Sequence, residues 1–264
     1  MSSSPTEPII HHNFDPQTST FTYLVACPST LHAIVIDSVL DFDPSTSRIS
    51  TTTADSLLSL IRSKNYTIVK ILETHVHADH LTASRYLQTQ LTTSTSSNDG
   101  EEVNGGIKPE ICIGKRIVEV QQVFADKYGI PREEWEGAFD KVFEDEEEFS
   151  VGNLKGTVKH LPGHTPDHVG YLVGCKFFCL LFFFFPLPFL PACLPACLFA
   201  CLGFAKPGLE QHIQSHALCV VSTSMTGSAD GIYETANIFC GDSLFDPEVG
   251  SARCDFPGGD AHAL

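Results

Sequence analysis

The sequence predicts an α/β protein whose chemistry sits at the carboxyl ends of its strands. Two observations carry that expectation. Apolar, β-branched runs of strand length alternate with segments whose apolar residues recur at helical spacing. The densest group of polar side chains, Thr74 to His80, follows directly on one of those runs, at the place where α/β sheets gather their ligands. At 264 residues the chain can build one such domain, or one and a half, around a sizeable core.

Residues 1–20 are expected to be a disordered N-terminal stretch. Phe21 to Ala26 and Ala33 to Asp37 read as two strands joined by a Cys-Pro-Ser-Thr turn. From Ala54 to Lys64, Leu57, Leu58, Leu60 and Ile61 mark one helical face. Thr67 to Leu72 is a β-branched strand. The histidine motif follows at once, and Leu81 to Leu91 is expected to continue as a helix. Thr92 to Gly106, rich in Ser, Thr, Asn and Gly, is a loop. Glu110 to Gly114 reads as a strand and Lys115 to Tyr128 as a helix. The acidic run Glu144 to Glu148 reads as a solvated loop. Val151 to Leu161 reads as a hairpin turning at Gly152-Asn153.

Composition narrows the function classes. A net charge of −16 with no basic stripe argues against a nucleic-acid surface. No Lys or Arg precedes Arg48, whereas presequences and secretory signals begin basic; the expected location is cytoplasmic. Ten cysteines suggest disulfides at first. Six of them crowd into one segment, and Cys27, Cys112, Cys240 and Cys254 are scattered, so buried free thiols are the better reading.

That segment departs from the rest. Residues 177–205 carry no charge and exceed the roughly 20 apolar residues that span a bilayer. Pro186, Pro188, Pro191 and Pro195 nevertheless interrupt any helix there. A membrane span is therefore not expected. Its Phe, Leu, Pro and Cys runs suggest an insert over residues 175–236 of translated non-coding origin. Removing it would join Val169–Gly174 to Asn237–Asp242 as two strands and a tight turn. The expected organisation is residues 21–174 and 237–264 as two parts of one domain.

Four pieces carry metal chemistry: His75, His77, Asp79 and His80; His164 in Pro162-Gly163-His164-Thr165-Pro166; Asp242 in Gly241-Asp242-Ser243; and Arg253 with Asp255. Imidazole and carboxylate together suit zinc, iron or manganese. A lone histidine such as His32, His160 or His168 is ordinarily a surface or packing residue. A lone Gly-Asp is ordinarily a turn. Three histidines and an aspartate within six residues are harder to explain as packing, because burying them without a metal or partners is costly.

In their order, His-x-His-x-Asp-His, Gly-His and Gly-Asp resemble the metallo-β-lactamase superfamily, over about Phe21–Gly174 and Asn237–Phe256. The stretches Glu73–His80, Pro162–Pro166 and Gly241–Phe245 are most similar to its persulfide dioxygenase branch. Ala252-Arg253-Cys254-Asp255-Phe256 resembles that branch's Gly-Arg-Thr-Asp-Phe, with Ala and Cys replacing Gly and Thr. The resemblance implies an αββα sandwich, incomplete at the C-terminus. It also implies one Fe(II) held by His75, His164 and Asp242, and oxidation of glutathione persulfide to sulfite. Arg253 would then lie near the glutathione site, and His77, Asp79 and His80 would orient ligands and water.

A glyoxalase-II-like thioesterase would use the same residues differently. His75, His77 and His164 would hold one Zn(II), Asp79 and His80 a second, and Asp242 would bridge them around a shared hydroxide. The second site of that branch takes a further C-terminal histidine, for which His262 is a poor substitute. A third expectation is an inactive product that exposes a sheet edge.

Overall fold

The computed structural model describes residues 7–78, 80–93, 103–174, 237–243, 253–255 and 257–263. The strands are β1 (Ile9–Asp15), β2 (Thr20–Ala26), β3 (His32–Ile36), β4 (Val39–Asp43), β5 (Arg48–Ser50), β6 (Thr67–Leu72), β7 (Leu81–Thr82), β8 (Glu110–Gly114), β9 (Lys141–Phe143), β10 (Glu148–Val151), β11 (Leu154–His160), β12 (Val169–Val173) and β13 (Asn237–Phe239). The helices are α1 (Thr52–Ser63), α2 (Ser84–Thr93) and α3 (Ile117–Tyr128).

Strand periodicity explains how two sheets and a helical layer share these residues. The first sheet runs β1-β2-β3-β6-β8-β9 and the second β10-β11-β12-β13. Along β2, Tyr23 and Val25 face the second sheet, meeting Phe149, Val158, Tyr171 and Phe239, while Leu24 and Ala26 face the helices. Along β3, Ile34 and Ile36 point one way and Ala33 and Val35 the other. Both faces are buried, so these strands read as continuous apolar runs rather than alternating ones. α1 offers Ala54, Leu58 and Ile61, and α2 offers Leu87 and Leu91, to the outer face. α3 covers Ile113 of β8 with Ile117 and Val120. This is one helical layer and the two sheets of the expected sandwich. Among the described residues no helix covers the outer face of the second sheet, and none is long and apolar enough to cross a membrane.

Several expectations change. Residues 1–20 are not a disordered stretch throughout: β1 pairs with β2 over its whole length, from Ile9↔Ala26 to Asp15↔Thr20. Helix Leu81–Leu91 begins later, at Ser84. Leu81 and Thr82 pair with Leu40 and Val39, and the Ala83 N–H donates to the Ser38 carbonyl, so these backbone groups are claimed before a helical turn forms. β4, β5 and β7 make a small third sheet that the apolar pattern did not announce. The Gly152-Asn153 hairpin is present, with Val151 opposite Leu154. β12 and β13 also pair, with Leu172 opposite Ile238 and Val173 opposite Asn237. The 175–236 insert lies outside the described residues.

Candidate metal centre

β3 and β6 are parallel neighbours, so the residues that follow them emerge side by side at one edge. Asp37, directly after β3, takes φ 50°, a left-handed conformation that aspartate tolerates better than most residues. Its N–H donates to the Leu72 carbonyl at 3.0 Å. Its carboxylate then receives both donors of Thr74, the N–H on Oδ1 and the hydroxyl on Oδ2, each at 2.8 Å. The first turn of the histidine motif is thereby tied to the neighbouring strand.

The second sheet closes on the same loop. The Val169 N–H donates to the Thr74 carbonyl at 2.8 Å, the Tyr171 hydroxyl to the Glu73 carbonyl at 2.7 Å, and the Val76 N–H to Asp167 Oδ2 at 3.0 Å. Beyond β13, the chain must pass close to Thr74. A Cβ on Gly241 would lie 2.4 Å from Thr74 Oγ1 and 3.0 Å from His168 Nε2, and Gly241 sits at φ 50°. Glycine is required there by space and by backbone, and its neighbour Asp242 is carried into the site.

The result joins three residues far apart in sequence. His75 Nε2 is 3.8 Å and His164 Nε2 3.7 Å from Asp242 Oδ2, and the three ligand atoms lie within 4.8 Å of one another. Two ligands each about 2.1 Å from one ion stand roughly 3–3.5 Å apart, so modest closure fits one ion. His75 is fully buried and its Nε2 has no hydrogen-bond partner among the described residues. Burial, then the neighbouring His77, His168 and His164, hold its pKa well below the usual histidine value. A buried, neutral, unsatisfied imidazole nitrogen is costly unless something such as a cation takes its lone pair. The donor set fits zinc or iron.

The other expected residues are placed differently. His77 is not part of this triad: its Nε2 lies 3.1 Å from Asp37 Oδ1 and 3.2 Å from Glu73 Oε2, making a second buried cluster. Burial opposes a charge on His77, yet the Asp37 carboxylate, by charge and hydrogen bond, and then Glu73 hold its pKa well above the usual value. His77 correspondingly holds Asp37 low against the effect of burial. His80 packs its ring 4.2 Å from that of His77 and places Nδ1 3.3 Å from Thr20 Oγ1. Asp79 lies outside the described residues. Arg253 contributes its backbone carbonyl, which accepts from His164 Nδ1 at 2.7 Å. Its guanidinium is exposed and pairs with Asp255. His262 is exposed, with its N–H on Asp260.

Sequence reasoning gave no role to Asp37, Glu73 or Thr74, and passed over His168 as ordinary packing. His168 does pack, but against the site: its ring stacks on His75 at 4.5 Å and 10° and its Nε2 donates to the Cys240 carbonyl at 2.8 Å. A cavity of about 20 Å³ bounded by Thr20, Tyr23, Asp37, His77 and Asp242 has room for about one water-sized species. A larger one, about 130 Å³, lies beside α1 against β2 and contains none of the motif residues.

A family model described as the metallo-beta-lactamase superfamily matches residues 15–180. A probable metallo-hydrolase of Burkholderia pseudomallei is 32% identical over 253 residues, covering 95% of this chain and 63% of its own length. A beta-lactamase hydrolase-like protein of Agrobacterium fabrum is 32% identical over 258 residues, 97% of this chain and 42% of its own. The chain thus spans between two fifths and two thirds of these relatives. Among solved structures, ETHE1 from Myxococcus xanthus aligns with TM-score 0.43 at 25% identity, over 63% of this chain and 54% of that one. With its two face-to-face sheets, outer helices and histidine–aspartate edge, the chain belongs to the metallo-β-lactamase superfamily of metal-dependent, hydrolase-like proteins.

Proposed function

We propose that this chain holds a single metal ion on His75, His164 and Asp242 and oxidises a glutathione persulfide to sulfite with ferrous iron. The observation that carries the single-ion reading is the position of His77. The hydrolase scheme needs its ring in the first metal's ligand set, yet its nitrogen is engaged by Asp37 and Glu73. Two histidines and one carboxylate leave positions open on the ion, the donor set of non-haem iron oxygenases. When bound, iron would supply activation of dioxygen. The protein's own residues supply the rest: the Arg253 carbonyl orients His164, and the exposed Arg253 guanidinium, whose Nε is taken by Asp255, would meet a substrate carboxylate through its terminal N–H groups. The partner is thus a small thiol-derived molecule.

The second reading is zinc-dependent thioester or ester hydrolysis. The names of the relatives favour it: the probable metallo-hydrolase above, and Glyoxylase B2 of Dictyostelium discoideum, 27% identical over 60% of its length. Metal analysis of purified protein with oxygen uptake on glutathione persulfide separates the two. Iron with substrate-dependent oxygen consumption supports the dioxygenase. Zinc, no oxygen consumption and thioester cleavage would sink it.

A further inference from the structure

We propose that Asp37 and Thr74 form a relay that fixes the proton of His75 on Nδ1 and so aims its Nε2 lone pair at the metal, making both of them positioning residues for the centre. The donors around Thr74 can be counted. Asp37 Oδ1 accepts the Thr74 N–H and Oδ2 accepts the Thr74 hydroxyl, both at 2.8 Å. A carboxylate only accepts, so the single hydroxyl hydrogen of Thr74 is committed to it. Thr74 Oγ1 also lies 3.0 Å from His75 Nδ1. With its own hydrogen already given, that oxygen must accept, and His75 Nδ1 must carry the proton. The bare nitrogen is then Nε2, the buried atom that has no hydrogen-bond partner and faces Asp242 Oδ2.

Four further features agree. The left-handed φ of Asp37 is a conformation held against its intrinsic preference at the one position that meets Thr74 from the adjoining strand. The hydroxyl has no water to turn to, because Thr74 is fully buried, and the chain packs so closely beside it that a Cβ on Gly241 would fall 2.4 Å from its Oγ1. His164 obeys the same rule with a different acceptor: its Nδ1 donates to the Arg253 carbonyl, leaving Nε2 for the ion. His168 shows the opposite setting, with Nε2 donating to the Cys240 carbonyl, so the ring stacked on His75 does not compete through that atom. Partners on the far nitrogen of a ligating histidine orient the ring and raise its basicity. Here the partner is a threonine, backed by a carboxylate that comes from a strand end remote in sequence.

The inference rests on reading His75 as a ligand, and it holds for iron or zinc alike. Its primary test is a long-range proton–nitrogen NMR spectrum of the full, metal-free, ¹⁵N-histidine-labelled chain, with His75 assigned by the spectrum of His75→Ala. A protonated Nδ1 and bare Nε2 are expected; a proton on Nε2 overturns the relay. Zn(II) titration supplies the second readout. Thr74→Val, nearly isosteric and without a hydroxyl, should weaken Zn(II) binding about tenfold to a hundredfold, while Thr74→Ser should return to within about threefold of wild type. A folded Thr74→Val chain with wild-type affinity overturns the relay even where His75→Ala loses the metal. Unchanged affinity in His75→Ala would instead overturn the ligand reading, and the positioning role with it. Should Thr74→Val fail to fold, the wild-type spectrum alone decides.

Discussion

His168 shows how a single buried side chain couples this site to pH. Burial pushes its pKa down to about 3 from an ordinary value near 6.5, so the native state holds it neutral while the unfolded chain takes up a proton. Its contribution to stability is complete above about pH 6.5 and is lost as pH falls toward 3. His75 shifts in the same direction. The thermal midpoint of metal-free protein should therefore fall steeply between pH 7 and 4, and His168→Gln, whose amide nitrogen can still donate to the Cys240 carbonyl, should flatten that limb. An unchanged slope in the variant would contradict this account. The triad itself makes a separate prediction: His75→Ala or Asp242→Ala should abolish stoichiometric metal in the purified chain, measured by elemental analysis. His77→Ala should keep the metal but lose about 3–5 kcal/mol in denaturant unfolding, since it leaves the Asp37 and Glu73 carboxylates buried without their cationic partner. Loss of metal from a folded His77→Ala chain would instead favour the hydrolase ligand set. The histidines and Asp242 were legible because their residue types are rare in such density. Asp37 was not, because a lone aspartate at the end of an apolar strand reads as no more than that strand's last residue; only the parallel pairing of β3 with β6 brings it to Thr74.

Elements contribute through what their ends are forced to do. The turn after β13 must approach Thr74 closely and with positive φ, so Gly241→Ala should cost about 1–3 kcal/mol and weaken metal binding, measured by unfolding and by metal titration. Wild-type behaviour in both would show that the turn can move aside. The acidic run at the start of β10 illustrates the opposite case. Glu144, Asp145, Glu146, Glu147 and Glu148 pair with Lys115, Arg116, Lys159, Lys141 and Lys155, lacing β10 to its neighbours at the surface. These groups are largely solvated, so Glu146→Gln should change stability by less than about 1 kcal/mol. α1, β6 and β8 were read closely because both faces of the sheet are apolar and the helix carries one apolar stripe. β7 was misread as helix because Leu81 and Thr82 carry no local mark of the pairing with β4 that claims them.

For the whole molecule, the pairing of β12 with β13 matters most. Val173 lies opposite Asn237, so joining Gly174 directly to Asn237 would leave a single residue to turn, whereas the tightest common hairpins use two. The expected junction therefore needs at least one more residue, and Gly174, at φ 99°, already has a conformation suited to a tight turn. A chain lacking residues 175–235, with Gly174 joined to Ala236, should fold and bind one metal ion as the full chain does, measured by metal titration and thermal unfolding. Failure of that shortened chain to bind metal would show that the 175–236 segment contributes to the fold. The sequence by itself determined the superfamily, the strand and helix framework and the identity of the metal-competent side chains, because those follow from local periodicity and from a motif whose residue types have little other use. Only the tertiary structure decided which of them converge, turning His77 toward Asp37 and Glu73 and assembling His75, His164 and Asp242. That choice depends on two sheets packing face to face and on which nitrogen of each ring finds an acceptor, and neither is a property of any local stretch of chain.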